Sequence, residues 1–388
     1  MMESKLEIIL YSRAFWPLLG GIETITDTLA THIVKHGHDC TVITETPLEE
    51  REEIKKDYKI VRQPTLLERC KLVARCSLVH SNGASVALFP IAKVCKKPFI
   101  WTHNGYQVSY YDGLGIDEKG NIVPITPLNF IKHHLSKNGF LYMLKECIKI
   151  PLRAYVSNLV DANVACTKWV AKRQPLKNQV VIYNPFPLDE FKSVESSSHI
   201  KYDFIFVGRL VFEKGINILL HALFKLVSED EFKNIRLAII GDGPLKSDLE
   251  STAENLNLKN NSYFLGAKNR NELISILSQA RIGVVPSLYE EPMGGVALEF
   301  LAAGKSVIVS EYGGLSECIG DAGLTFKNGN IEELYKCMKA LTNNISLEKK
   351  LMKHAPTRLE IFNESNLTKQ YIDLYKYVIK EATKPLKS

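Results

Sequence analysis

Residues Pro286–Val309 read PSLYEEPMGGVALEFLAAGKSVIV, with Glu291 and Glu299 eight positions apart and Gly294 and Gly295 between them. The run before it, Ala280 to Pro286 (ARIGVVP), is apolar almost throughout and predicts a buried parallel strand. Val296 to Ala303 predicts a helix that stops at Gly304, a residue suited to the position just past a helix end. Glu291 then falls in a strand-to-helix loop and Glu299 about two turns into the helix. Glycines at the helix start leave backbone N–H groups available to an anion or a sugar hydroxyl. Carboxylates on either side of that spot accept hydrogen bonds from vicinal hydroxyls, so one site could hold phosphate, ribose and sugar. Two glutamates at this spacing, taken alone, suit the surface of a helix better than a site.

The surrounding pattern decides between these readings. PSL-x-E-E-P-x-G-x-x-x-L-E-x-x-A-x-G-K-x-V-I resembles the Glu-x7-Glu signature of retaining glycosyltransferases of family 4, which have the two-Rossmann (GT-B) fold. Met293, often Phe in that family, and Gly295, often aliphatic, depart from its commonest form where the donor sugar would rest. The resemblance implies that Glu291 contacts sugar hydroxyls and Glu299 the ribose.

With 388 residues, the chain accommodates two domains of about 150 residues each. A 45% hydrophobic and 24% charged composition excludes a disordered chain. Eight cysteines occur without a CxxC or zinc spacing, which fits small core residues in a reducing compartment. The N-terminal apolar run is too short for a signal peptide, and no stretch of ~18 apolar residues occurs, so the expected location is cytoplasmic.

The first half opens with a strand at Leu6–Ser12, a loop containing Pro17 to Gly21 and a helix from Ile22 to about His36. Strands are predicted at Cys40–Thr44, Ser77–His80, Pro98–Thr102, Ala162–Ala165 and Val180–Tyr183, with helices between them. After Asn184-Pro185-Phe186-Pro187 comes the polar stretch Ser193–His199, the best linker candidate. The second half repeats the arrangement: a strand at Tyr202–Val207, a loop Gly208–Gly215, a helix Ile216–Val227, and strands at Arg236–Ile240, Asn261–Leu265, Gly283–Pro286 and Ser306–Ser310. The predicted architecture is α/β: two Rossmann-like, doubly wound domains facing a cleft, with ligands at the carboxyl ends of the strands. The first domain spans 1–190, a linker 191–200 and the donor domain 201–364; by resemblance, the helix in 365–388 returns to the first domain.

Gly208-Arg209-Leu210-Val211-Phe212-Glu213-Lys214-Gly215 follows a strand and precedes a helix. It is similar to the family's G-R-L-x-x-x-K-G segment, which implies that Arg209 and Lys214 hold the donor diphosphate. Arg offers a forked contact and Lys a compact charge. The chain contains no DxD, so nothing supports a metal held by paired aspartates, and no cofactor is implied. Gly20 and Gly21 precede the first helix, where small residues permit close backbone approach; in the family such a pair closes over the donor. His103 ends a strand in WTHNG and corresponds to the family histidine that hydrogen-bonds the donor sugar. Gly266, after Phe264-Leu265, lies where relatives read the base.

Ala303-Gly304-Lys305-Ser306 imitates the end of a Walker A loop, but its first glycine would fall at Glu299. Gly241-Asp242-Gly243 lacks the third glycine of a dinucleotide fingerprint, and no GxSxG occurs. Residues 91–180 carry 13 Lys/Arg against 5 Asp/Glu, more than the whole chain's net +6. Within them, 131–160 mixes five Lys/Arg and one acid with many apolar residues. A core helix with a solvated basic face and a segment docked on anionic lipid both fit. Nucleic acid is unsupported, since no recognition motif accompanies the charge.

Together these features predict a retaining, metal-independent transferase. It would move a hexose-type sugar from a nucleoside diphosphate, UDP in preference to GDP, to a lipid-linked or cell-surface glycan acceptor. An anionic membrane surface is a candidate partner. The alternatives are a sugar-nucleotide epimerase or phosphorylase on the same fold, or a non-catalytic, membrane-binding partner subunit.

Overall fold

The structure is a computed structural model that describes residues 5–17, 20–47, 55–109, 140–194 and 199–384. The chain forms two compact units, passing from the first to the second between Pro187 and Leu188 and returning at Phe362. The change of unit therefore precedes the polar stretch Ser193–His199. Phe191, within the expected linker, is fully buried in the second unit, because the short helix Asp189–Lys192 packs on the helix Gly295–Ala302.

In the first unit, β1 (Glu7–Tyr11), β2 (Asp39–Thr44), β3 (Lys59–Arg62), β4 (Leu78–Asn82), β5 (Phe99–His103), β6 (Ala162–Ala165) and β7 (Gln179–Val181) form one sheet. Their order is β3-β2-β1-β4-β5-β6-β7, and all pairs are parallel. Winding reverses between β1 and β4, which makes their carboxyl ends a place where loops diverge and a ligand can enter. Strands β4, β5 and β6 are buried at every position, the consequence of helices covering both faces of a parallel sheet. The last helix, Glu364–Ala382, belongs to this unit: Tyr371, Ile372, Tyr375 and Val378 enter the core with Leu29 and Ile33 of the helix Gly21–Lys35.

His80 ties that helix to the sheet. Its Nδ1 lies 2.7 Å from Tyr375 Oη and its Nε2 2.7 Å from Thr102 Oγ1, with its ring stacked 5.3 Å from Tyr371. Burial pushes the imidazole down to about 3, so it stays neutral.

The second unit contains β8 (Tyr202–Val207), β9 (Leu237–Ile240), β10 (Ser262–Gly266), β11 (Ala280–Val285), β12 (Ser306–Ser310) and β13 (Leu324–Phe326). This sheet is also parallel, in the order β10-β9-β8-β11-β12-β13, so winding reverses between β8 and β11. The helix Ile216–Val227 buries Ile216, Leu219, Leu220, Leu223 and Leu226, one apolar face at helical spacing, against Phe204, Phe206 and Ile239. Two strands were not expected from the sequence, β3 and β13. Both lie at an outer edge of their sheet, where short strands with exposed polar positions lack a long apolar run.

Among the described residues, no helix is long and apolar enough to cross a membrane.

Candidate functional site

In the second unit, the loops after β8 and β11 meet at the reversal of winding. Gly215 takes φ +69°, and a Cβ there would stand 1.9 Å from Pro286 O, so only glycine lets the two loops approach this closely. Leu288 N–H donates to Glu213 O at 2.9 Å across the same junction. On the other side, Gly313 at φ +115° pairs with Glu291 in an isolated bridge, and Gly314 N–H donates to Glu291 O at 2.6 Å. The backbone of Glu291 is thus fixed by a Gly-Gly pair after β12.

Its side chain is fixed as well. Glu291 is buried, and its Oε1 accepts from Lys214 Nζ at 2.6 Å and from Ser287 Oγ. Ser287 is held in turn, since Ser310 Oγ donates to its carbonyl at 2.7 Å. Lys214 Nζ also lies 5.5 Å from the centre of the Tyr289 ring. The structure therefore joins Lys214 and Glu291 directly. Arg209, on the same loop as Lys214, is largely exposed and leans on Glu213 at 3.5 Å.

Glu299 is the fifth residue of the helix Gly295–Ala302, just past one turn and not two, because the helix begins at Gly295. It is half-buried, and burial pushes its carboxyl up to about 7; Arg270 opposes that rise and Glu190 adds to it. Arg270 Nη1 stands 3.9 Å from Glu299 Oε1. Met293 is half-buried, and Gly294, the N-cap of the helix, donates its N–H to Cys318 Sγ at 3.3 Å, so this amide is not bare. Gly266 ends β10 at φ +70° with open space around its α-carbon.

The other predicted residues belong to the first unit. Gly20 caps the helix Gly21–Lys35 in an extended conformation, and Gly21 has open space beside its α-carbon. His103 is the last residue of β5 and is buried, its ring 4.5 Å from that of Trp101. Burial pushes its imidazole down to about 4. Its tautomer follows from a neighbour. Asn163 Nδ2 donates to Ser157 O and Lys177 O, both at 2.7 Å, so Asn163 Oδ1 faces His103 Nε2 at 2.8 Å as acceptor. Nε2 carries the proton, and Nδ1 of this neutral ring is the lone-pair nitrogen.

Among the described residues, no group of three or more His, Cys, Asp or Glu could hold a metal ion. Sequence reasoning missed Ser287, Gly313 and the trio Glu190, Phe191 and Arg270. The Gly-Gly pair after the Ser306–Ser310 strand was a usable signal for Gly313; the trio had none, because its members come from distant segments.

Residues 189–358 match the family model described as Glycosyl transferases group 1. The chain carries a group 1 glycosyltransferase domain. The match covers the second unit, where Lys214, Glu291 and Glu299 stand. The chain is 28% identical over 327 residues to an uncharacterized glycosyltransferase of Methanocaldococcus jannaschii, spanning 78% of this chain and 79% of the relative. It is 25% identical over 284 residues to the sulfoquinovosyl transferase of Arabidopsis thaliana, spanning 69% of this chain and 50% of that one. A solved structure of Anabaena HepE in complex with UDP and glucose has the same fold, with a TM-score of 0.72 at 15% identity over 96% of this chain and 99% of that one.

Proposed function

We propose that this glycosyltransferase is a retaining, metal-independent enzyme that transfers a hexose-type sugar from a UDP-sugar to an acceptor hydroxyl. The observation that carries the reading is the 2.6 Å contact between Lys214 Nζ and Glu291 Oε1. With Lys214 on the diphosphate and Glu291 on the sugar, this contact would bring both groups to the bond between anomeric carbon and diphosphate that must break. Arg209 and Lys214 would take the charge of the departing diphosphate. A helix terminus contributes at most about 2 kcal/mol, whereas even a modest enzymatic acceleration needs about 8 kcal/mol, so these cations are required. Glu291 would accept from sugar hydroxyls, Glu299 from the ribose, and the backbone near Gly266 would meet the base. Gly20 and Gly21 would close over the donor, and His103 Nδ1 would accept from a sugar hydroxyl.

Retention would follow if the leaving phosphate draws the acceptor hydroxyl in on the face it vacates. Glu291 is a poor nucleophile for a double displacement, because its Oε1 is already committed to Lys214 and Ser287. UDP is preferred because HepE was solved with it. Donor hydrolysis measured against a panel of sugar nucleotides, with and without EDTA, tests the reading. Loss of activity in EDTA that Mn²⁺ restores would overturn the metal-free mechanism. A product that is an epimer or a sugar phosphate would favour the rival enzyme classes.

The acceptor we propose is lipid-linked, reached from an anionic membrane surface. Its support is the helix Phe140–Ser157, which exposes Phe140, Leu144, Ile148, Leu152 and Tyr155 as one stripe while Val156 enters the core. Arg153 and Lys149 flank the stripe. Residues 131–139 of the basic region lie outside the described residues. A stripe of this kind beside cations suits the headgroup level of an anionic bilayer.

A further inference from the structure

Arg270 has no role in the reading above, although it stands between two carboxylates beside the proposed ribose site. It opens the helix Arg270–Ser278, directly after β10, whose N-cap Asn269 closes a capping box with Glu272. The guanidinium is held on three sides: Nε lies 3.2 Å from Glu190 Oε2, Cζ lies 4.8 Å from the centre of the Phe191 ring, and Nη1 lies 3.9 Å from Glu299 Oε1. A planar cation stacked on a ring and pinned by one carboxylate has little freedom left, so its position relative to the other carboxylate is set.

We propose that Arg270 is a positioning residue for nucleotide binding: clamped by Glu190 and Phe191 beside Glu299, it favours the ionised form of that carboxylate as a hydrogen-bond acceptor for the ribose diol. This rests on the assignment of Glu299 to the ribose. An ionised carboxylate offers only acceptors and can take both hydroxyls of a vicinal diol, whereas a protonated one spends an oxygen as a donor. Half-burial works against the ionised form, and a fixed cation nearby favours it. The charges around Glu299 are few. Of the elements packed on its helix, Asp189–Lys192 supplies Glu190, while its Asp189 and Lys192 pair with each other at 2.7 Å. Ala355–Ile361 carries Glu360 and Arg358, whose Nε donates to Cys318 O at 2.9 Å; Gly314–Ile319 carries Glu317. β11 carries Arg281, which pairs with Glu348 at 2.6 Å; among the described residues, Arg270 lowers the Glu299 carboxyl and Glu190 raises it. With Arg270 in place the Glu299 carboxyl stands at about 7, so it is partly ionised at neutral pH, and loss of the cation would lower that ionised share.

The test is a double-mutant cycle read by calorimetric binding of UDP, with GDP beside it because both carry ribose. Arg270→Met should weaken UDP about tenfold at pH 7 in the wild-type background and less than twofold in a Glu299→Gln background, since residues acting as one unit are not additive. Raising the pH to 8.5 should restore part of the loss in Arg270→Met, because its carboxyl then ionises. Arg270→Lys should retain most of the affinity. The titration of UDP's own terminal phosphate is common to all variants and cancels between them. Equal losses in both backgrounds would overturn the proposal, because Arg270 would then touch the nucleotide itself or support the fold. No loss in either background would also overturn it. Wild-type protein that binds neither nucleotide would overturn the donor assignment, and the role of Arg270 with it.

Discussion

Glu291 and Glu299 are chemically identical, and their surroundings separate them. Glu291 is bonded through Oε1 to Lys214 and Ser287, so its charge is neutralised and its direction fixed. Glu299 has a cation only at 3.9 Å and a carboxyl pushed up to about 7. Replacing them should therefore give different losses. Glu299→Ala should weaken calorimetric binding of UDP by about tenfold, the scale of a charge-assisted hydrogen-bond pair. Glu291→Ala should leave that affinity within about threefold while turnover of the UDP-sugar falls by at least a hundredfold. The reverse pattern would contradict the assigned roles. Lys214→Ala should lower both turnover and diphosphate affinity, because the same Nζ serves Glu291 and the proposed phosphate. The sequence showed these residues, because loop, glycines and glutamates lie within one run; it could not show Arg270, which reaches Glu299 only once β10 and β11 are folded beside the Asp189–Lys192 helix.

At the scale of elements, what was legible depended on burial. The strands Ala162–Ala165, Tyr202–Val207 and Ser306–Ser310 have the bounds that their apolar runs predict. β3 and β13 leave no apolar run in the sequence, because an edge strand needs only one partner and tolerates Lys59 or Thr325. The same burial creates a pH dependence. His80 and His103 have folded values of about 3 and about 4, below the 6.5 of an exposed histidine. Between those values the unfolded chain binds protons that the folded chain refuses, so stability should fall as pH drops through 6.5. Each histidine should cost about 1.4 kcal/mol at pH 5.5 relative to neutral pH. Urea midpoints that stay level between pH 7 and 5.5 would show that neither ring is held neutral. The helix Phe140–Ser157 offers a second check at this scale. Ile148→Ser, Leu152→Ser and Arg153→Glu together should abolish co-sedimentation with anionic vesicles while a water-soluble acceptor is still used. Wild-type protein that ignores such vesicles at low salt would leave the stripe without a membrane role.

Across the whole molecule, the two units differ in how the chain builds them. Among the described residues the second is one continuous segment, Leu188–Ile361, whereas the first is completed only when the chain returns at Phe362 and seats Tyr371 and Tyr375 in its core. The residues proposed to hold the nucleotide, Arg209, Lys214, Gly266, Glu291 and Glu299, with Arg270 beside them, all belong to the continuous segment, as do all the residues matched by the family model. Among the described residues its core is built from apolar residues of the segment itself, from Phe204 on β8 to Met338 and Leu341 on the helix Ile331–Asn343. A fragment of Leu188–Ile361 should therefore fold cooperatively and bind UDP within about tenfold of the full chain. It should not transfer sugar, because His103, Gly20 and Gly21 are missing from it. Cutting the full chain after Ile361 should have the opposite effect. The first unit then loses the Tyr375 partner of His80 and a wall of its core, and should unfold at lower urea than the second. Calorimetry on the fragment and a two-transition urea profile on the truncated chain check the pair. A fragment that folds but binds no nucleotide would move the donor site off the second unit, and a single unshifted transition after truncation would mean that the last helix does not support the first.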